Sequence, residues 1–396
     1  MITEENKQTS DWASVLSIAI GAFVIVTTEF LPIGLLTPIR KSLNVTEGEI
    51  SWAVTLTGII AAMTAPLCPM LIKSYDRKKV LVFLSFIVVA SNLLAGLAPN
   101  FTSLMIARAA LGITVGGFWT FGLAVGRKLV TEEYGNRATA IISAGISLGI
   151  VFGLPIGTTI GQFYGWRGAF FFVAVLSFLA AIAQIFFLPT IKSLPKKGSN
   201  GIWGAFHIPM ARSGLIINIF IFCGHFVAYT FLEPYIRLIP GMTETGLSVM
   251  LLYYGIAAFA GNFIAEWAIK RIGLKQSFFI SIAIMSGIIL LESFVSNYAL
   301  ISIAAIGVWG ILFSGFAGVY VPVWMFNASP ERFEENSALM VSTAQIGVAA
   351  GATLGGVLVD SVGLKITFVI AALVTALGAA VIHFSKEQKG NLQAKS

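Results

Sequence analysis

Runs of about 20 apolar residues recur along the whole chain, separated by short polar stretches, and this restricts the fold more severely than any other feature of the sequence. A helix rises 1.5 Å per residue, so about 20 residues cross a hydrocarbon core of roughly 30 Å. Lipid offers the backbone no hydrogen bonds, so each crossing segment must satisfy its own N–H and C=O groups, which a helix does. Hydrophobic residues make up 57% of the 396 and charged residues 11%, against roughly 25% charged in a soluble domain. No water-soluble interior could hide that much apolar surface. The expected fold class is an all-α integral membrane protein.

Candidate spans cover residues 12–36, 50–71, 80–98, 101–126, 138–160 and 168–188, then 213–236, 246–269, 276–295, 300–325, 337–359 and 365–384. Between the sets, 189–212 carries Pro189, Pro195, Lys196, Lys197 and Gly198, a composition suited to a solvated linker. The organisation is twelve transmembrane helices in two six-helix bundles, residues 1–188 and 213–396, joined by a cytoplasmic linker.

Basic residues near span ends stay on the cytoplasmic side. With the N-terminus inside, 19 of the 25 Lys and Arg residues fall in inner segments, and Arg40, Lys41, Arg167, Arg237 and Lys365 fall outside. The sequence therefore places both termini in the cytoplasm and the protein in the inner membrane. Glu4, Glu5 and Asp11 precede the first apolar run with no small-residue cleavage site after a short apolar region, so no cleaved signal peptide is expected. The net charge of +7 forms no continuous basic stripe, which argues against nucleic acid as a partner. Cys68 and Cys223 both lie inside spans and are not expected to pair.

An internal repeat supports the two halves independently of hydropathy. Moving the chain by 198 residues superposes Gly112 on Gly310, Gly117 on Gly315, Phe118 on Phe316, Ala140 on Ala338, Gly149 on Gly347, Gly153 on Gly351, Gly157 on Gly355, Gly165 on Gly363 and Phe170 on Phe368. Each half has an even number of spans, so both enter the membrane from the same side, as a parallel repeat.

An ionised side chain in hydrocarbon costs several kcal/mol unless paired or wetted, so Glu29 in span 1 and Arg108 in span 4 stand out. Seven residues from their outer span ends, both sit roughly 10 Å below the outer boundary. At equal depth they are expected to pair. The repeat equivalent of Arg108 is Ile306, an asymmetry that a scaffold role shared by the halves does not need. The pair reads either as a structural lock between two helices or as a coupling site, with Glu29 binding a proton and Arg108 modulating it by charge proximity.

His225, Tyr229 and Glu233 follow at intervals of four, which puts them on one face of span 7. They read as substrate hydrogen-bond partners or a second proton site, or else as a packing histidine and an interfacial Glu233 paired with Arg237. Phe118, Trp119 and Phe121 in span 4, with Trp309 and Phe313 in span 10, are placed to flank a cavity and stack on a flat solute, or to serve helix packing. Glu266 and Glu292 lie near span ends and read as interfacial. Gly112 and Gly116, then Gly145, Gly149, Gly153, Gly157 and Gly161, recur every four residues and allow close helix approach, with Pro155 weakening the span-5 ladder. The three histidines are far apart, and neither a clustered metal motif nor a phosphate-cradling loop occurs, so no cofactor, metal or enzymatic chemistry is expected.

Several of these residues resemble motifs of the major facilitator superfamily, in its twelve-span drug/proton antiporter branch. Tyr75-Asp76-Arg77-Lys78-Lys79 is similar to the family's gating loop between spans 2 and 3, without its usual leading glycine, since Lys73 and Ser74 precede it. Leu104, Arg108, Gly112 and Gly116 match the branch's Arg-Gly motif. Gly149, Gly153, Pro155, Gly157 and Gly161 resemble its antiporter motif, although Leu154 separates glycine from proline. Thr28-Glu29-Phe30-Leu31-Pro32 and Gly165-Trp166-Arg167 resemble bacterial sugar-efflux and purine ribonucleoside-efflux transporters. Leu35-Leu36-Thr37-Pro38 and Gly116-Gly117-Phe118-Trp119 lean to the nucleoside exporters, and His225 with Glu233-Pro234 to the sugar exporters.

The resemblance implies a monomeric, proton-coupled antiporter that exports a small organic solute, such as a nucleoside or sugar, by alternating access between lipid-embedded halves. Glu29 and Arg108 would couple the proton. Phe118, Trp119, His225, Tyr229, Glu233 and Trp309 would contact substrate, and Asp76 and Arg77 would gate. Efflux of amphipathic drugs and proton-coupled uptake are the rivals, with a membrane-embedded enzyme or sensor as the alternative of another class.

Overall fold

A computed structural model describes residues 11–72, 75–131, 134–191, 207–329 and 333–386. Glu4, Glu5, Lys73, Ser74 and the linker interior at 192–206 lie outside the described residues. Among the described residues there are helices and turns and no strand.

Among the described residues ten helices are long and apolar enough to cross a membrane, and two of them, Arg137–Phe187 and Leu339–Phe384, are 51 and 46 residues long, enough for two crossings each. Each breaks at one glycine: Gly165 has φ 73° and ψ 165°, Gly363 has φ 81° and ψ 169°. This backbone region is open essentially to glycine alone. The chain reverses at both points, which resolves ten long helices into the twelve expected spans. Gly165 and Gly363 are also partners in the sequence repeat, so the repeat extends to backbone geometry.

The repeated glycines of spans 5 and 11 do the same work in each half. A Cβ on Gly149 would lie 2.9 Å from the carbonyl oxygen of Phe23 in span 1, and one on Gly347 would lie 2.9 Å from that of Ile219 in span 7. Only a residue without Cβ lets these backbones meet so closely.

Two apolar cores result, one built chiefly from the first half and one from the second. They exchange members at one end: Ile33, Val54 and Leu154 pack into the second-half core, and Phe231 packs into the first-half core. Polar contacts between the halves gather toward the same end. Asp360, ending span 11, accepts from Thr46 Oγ1 (2.6 Å) and the Gly48 N–H (3.0 Å) at the start of span 2. Thr158 and Ser248 bond at 2.9 Å, Gln162 donates to Ser248 at 3.0 Å, and Thr353 meets Thr55 at 3.2 Å.

Spans 1 and 7 do not run straight to this end. Span 1 is helical over Trp12–Gly34 and resumes as Leu36–Leu43; span 7 is helical over Pro209–Tyr229 and resumes as Leu232–Arg237. Pro32 and Pro234 each lack the N–H that would close the preceding turn. The continuous helix expected over 213–236 is thus replaced by two pieces.

Candidate functional site

Residue 32 being proline, the carbonyl of Thr28 has no helical donor four residues on. Arg108 supplies one: its Nη1 donates to Thr28 O at 2.8 Å, Nη2 to Glu29 O at 2.7 Å, and Nε to Ala53 O at 2.8 Å. The guanidinium, fully buried, therefore ties span 4 to the main chains of spans 1 and 2. Thr57 Oγ1 closes the cluster on Ala53 O (3.0 Å) and Arg108 O (3.1 Å). Arg108 lies level with Glu29 along the bundle, close enough to bond its main chain, but the expected side-chain pair is not formed. Among the described residues, no ion pair joins them, because main-chain carbonyls occupy the guanidinium.

The Glu29 carboxylate is instead engaged from the other half. Gln345 of span 11 donates Nε2 to Glu29 Oε1 at 3.0 Å, and both side chains are buried. Beside it, Phe30 stacks on Phe226 of span 7 (centroids 5.8 Å) and meets Tyr229 edge-on (6.5 Å). Glu29 thus lies on the seam between the halves.

His225 and Tyr229 lie on one face, as their spacing predicts, and stack at 4.7 Å. Phe313 covers His225 at 3.4 Å, and Trp309 Nε1 donates to His225 Nδ1 at 3.1 Å. With Nδ1 accepting, a neutral ring carries its proton on Nε2. That atom is buried without a hydrogen-bond partner, as is the hydroxyl of Tyr254, whose ring lies 5.3 Å from Tyr229.

Glu233 does not join this group. On the short helix beyond the break it bonds Arg237 at i+4, and it accepts from Thr37 of the first half through both Oγ1 (2.7 Å) and N–H (3.1 Å). Arg237 reaches on to Glu244, whose hydrogen bonds, ahead of those from Glu233, hold the guanidinium above its ordinary range. Glu233 thus pairs with Arg237, as its alternative reading expected, and ties the short helix to Thr37 of the other half. Phe118 and Trp119 stack on each other at 6.0 Å within the first-half core, and no ring contact among the described residues links them to Trp309. The aromatic wall expected from spans 4 and 10 together is built from spans 7, 8 and 10.

Asp76 caps the third span through the Lys78 N–H (2.9 Å) and accepts from the Ile191 N–H (2.9 Å), while Arg77 lies 4.4 Å over the Phe121 ring and donates to Ile72 O at 2.9 Å. The Asp76 contact to Ile191 reaches the start of the linker, and the others named lie within the first half. Glu292, read from sequence as interfacial, is fully buried and accepts from Tyr235 at 2.5 Å; Glu266, by contrast, forms an exposed pair with Lys270 at 2.6 Å. An apolar groove of about 680 Å³ follows the seam between spans 2 and 11, lined in part by Ile59, Met63, Ile346, Leu354 and Val357. Among the described residues, no three His, Cys, Asp or Glu side chains are placed to hold a metal.

Sequence reasoning missed Gln345, Tyr254 and Glu292 as buried polar partners. A lone amide in an apolar span was the available signal for Gln345.

Known proteins match over nearly the whole chain. It is 30% identical over 394 residues to the transcription regulatory protein OpdE of Pseudomonas aeruginosa, covering 98% of this chain and 96% of that protein. It is 27% identical over 377 residues to the purine ribonucleoside efflux pump NepI of Salmonella typhimurium, covering 94% and 93%. Its fold matches a D-xylose–proton symporter crystal structure with a TM-score of 0.80 at 14% identity, over 96% of this chain and 99% of that one. The Major Facilitator Superfamily model matches twice, over residues 18–237 and 214–395, once for each half. The chain is a multi-pass membrane protein that belongs to the Major Facilitator Superfamily of transporters.

Proposed function

We propose that the protein is a proton-coupled antiporter of the inner membrane that exports a small neutral organic solute, a nucleoside or a sugar, with both termini in the cytoplasm. Two bundles, residues 1–188 and 213–396, rock about the seam that holds Glu29. The conformation described here is sealed at its outer end and corresponds to the state that loads solute from the cytoplasm. Glu29 carries the proton, and Arg108 fixes the main chain that presents it. His225, Tyr229 and Trp309 offer the solute an aromatic surface with an unpartnered polar edge. Glu233 with Thr37 closes the outer end, and Asp76 and Arg77 gate the inner one. Phe118 and Trp119 contribute by packing span 4.

One observation carries this reading: a buried carboxylate of one half, Glu29, is bound by a side chain of the other, Gln345. Taking up or losing a proton there changes a contact that must break when the halves separate. The name of the NepI relative supports a nucleoside.

The test uses inverted membrane vesicles holding the protein, with radiolabelled adenosine, arabinose and an aromatic cation, with and without an imposed pH gradient. Gradient-driven accumulation of a neutral solute is expected, lost in Glu29→Gln while the variant remains folded. Movement in the opposite sense would establish uptake, and preference for the cation would establish drug efflux. The name of the OpdE relative adds a second reading, that the chain acts on gene expression. Gradient-independent binding without transport would favour it and sink the antiporter.

A further inference from the structure

Gln345 presents two groups side by side to the seam, and only one is in use. Its Nε2 donates to Glu29 Oε1 at 3.0 Å, while its Oε1 is buried without a partner. An orphaned buried carbonyl is costly. An ionised carboxylate is an acceptor only and cannot relieve it, whereas a protonated carboxyl has one donor and one acceptor, the complement of an amide.

We propose that Gln345 reads the protonation state of Glu29: when the carboxyl takes up a proton, acid and amide close a pair of two hydrogen bonds across the seam, and this holds the halves in the conformation described here. The inference rests on Glu29 being the proton site of the proposed function. Only a proton moves. It comes from water, bonds to a carboxylate oxygen and neutralises the charge, and it returns to water when the pair opens.

The surroundings leave this contact as the one that changes. Span 4 brings Arg108, whose three donors are committed to main-chain carbonyls. Span 2 brings Ala53 and Thr57, and span 5 packs Gly149 and Gly153 against span 1. Span 7 brings Phe226 and Tyr229 by way of Phe30. Among these Arg108 is the one charged group and Tyr229 the one other that titrates.

One added hydrogen bond of ordinary strength shifts a two-state equilibrium about fivefold. The pH midpoint of the conformational change should then depend on Gln345 by about 0.7 units.

The experiment uses the full chain in nanodiscs, with spin labels on Lys41→Cys and Lys365→Cys at the outer ends of the two halves, in a Cys68→Ser, Cys223→Ser background. Label distances are measured from pH 5 to pH 9, and proton uptake is followed by the carboxylic-acid infrared band. In the parent protein the sealed population should rise as pH falls. Gln345→Leu should keep the Glu29 infrared signal while its sealed population loses the pH response about fivefold. Gln345→Asn, one methylene shorter, should do the same and serves if the leucine variant does not fold. Glu29→Gln should be sealed at every pH, because an amide there has the N–H that Gln345 Oε1 needs. If both Gln345 variants follow the parent curve, the reading role is overturned while Glu29 remains the proton site. If Glu29→Gln itself follows the parent curve and keeps the infrared signal, Glu29 is not the proton site and the proposed coupling falls with it.

Discussion

Replacing Arg108 by methionine removes a donor that one proline makes necessary, and the two changes should not be additive. Arg108 bonds three main-chain carbonyls, but these differ in what they lose. Ala53 O keeps Thr57 Oγ1 as a donor, and Glu29 O keeps the helical position four residues on, Ile33. Thr28 O has neither, because residue 32 is proline. Leaving one such carbonyl unsatisfied in a buried position costs about 1–3 kcal/mol. In a Pro32→Ala background the alanine N–H takes over the bond to Thr28 O, so Arg108→Met should be milder there by that amount. The measure is a double-mutant cycle on unfolding free energies from reversible SDS titration in mixed micelles. Effects that add within about 0.5 kcal/mol would refute the assignment and leave Arg108 as a charge rather than a clamp. Arg108→Lys should behave like the methionine variant, since an ammonium cannot span three carbonyls as a planar fork does.

Other changes test the frame around this cluster. Gly165→Ala and Gly363→Ala should each destabilise by about 1–3 kcal/mol in the same titration, because both positions lie in glycine-only backbone space; effects that differ by more than that range between the halves would deny them an equivalent role. Thr37→Val removes one bond to Glu233 and should raise maleimide labelling of a cysteine placed at Val54, buried in the seam, by about two- to tenfold. Unchanged labelling would show that Glu233 is no latch. Tyr235→Phe removes the 2.5 Å hydrogen bond to the buried Glu292 and should cost about 1–3 kcal/mol, less when Glu292→Met is added. An equal loss in the double variant would mean the hydroxyl does not serve that carboxylate.

Much of the fold was legible because lipid leaves the backbone few choices. Apolar run lengths gave twelve spans, and the repeat paired Gly165 with Gly363, which the structure finds in one conformation. The depths of Glu29 and Arg108 followed from helix rise alone. What did not follow was their partnership. Charge invited pairing of the two side chains, whereas the proline at 32 had already created a competing acceptor, a signal present in the Thr28–Pro32 spacing. Grouping Glu233 with Tyr229 failed for a kindred reason, while the alternative pairing of Glu233 with Arg237 is the one formed: the interval of four from Tyr229 assumes an unbroken helix, and Pro234 withholds the N–H that Thr230 O would need. Glu292 was read by its distance from a span end, which says nothing of what Tyr235 brings beside it. Gln345 carries no charge and so drew no attention, although a buried amide makes the same demands for partners.

The two halves divide their residues between repetition and exception. Positions that match under the 198-residue shift are scaffold: the close-approach glycines and the two reversals. Positions that could bind a proton or a polar solute do not match. Glu29 faces Val227 in the repeat, Arg108 faces Ile306, His225 faces Thr27, Gln345 faces Ser147 and Glu292 faces Leu94. A symmetric pair of bundles can rock but gives a proton no preferred half on which to act. In the proposed antiporter, a carboxylate on one half and its amide on the other let a single protonation change a contact between the halves, so there the asymmetry at the seam would supply the coupling and the symmetry around it the motion.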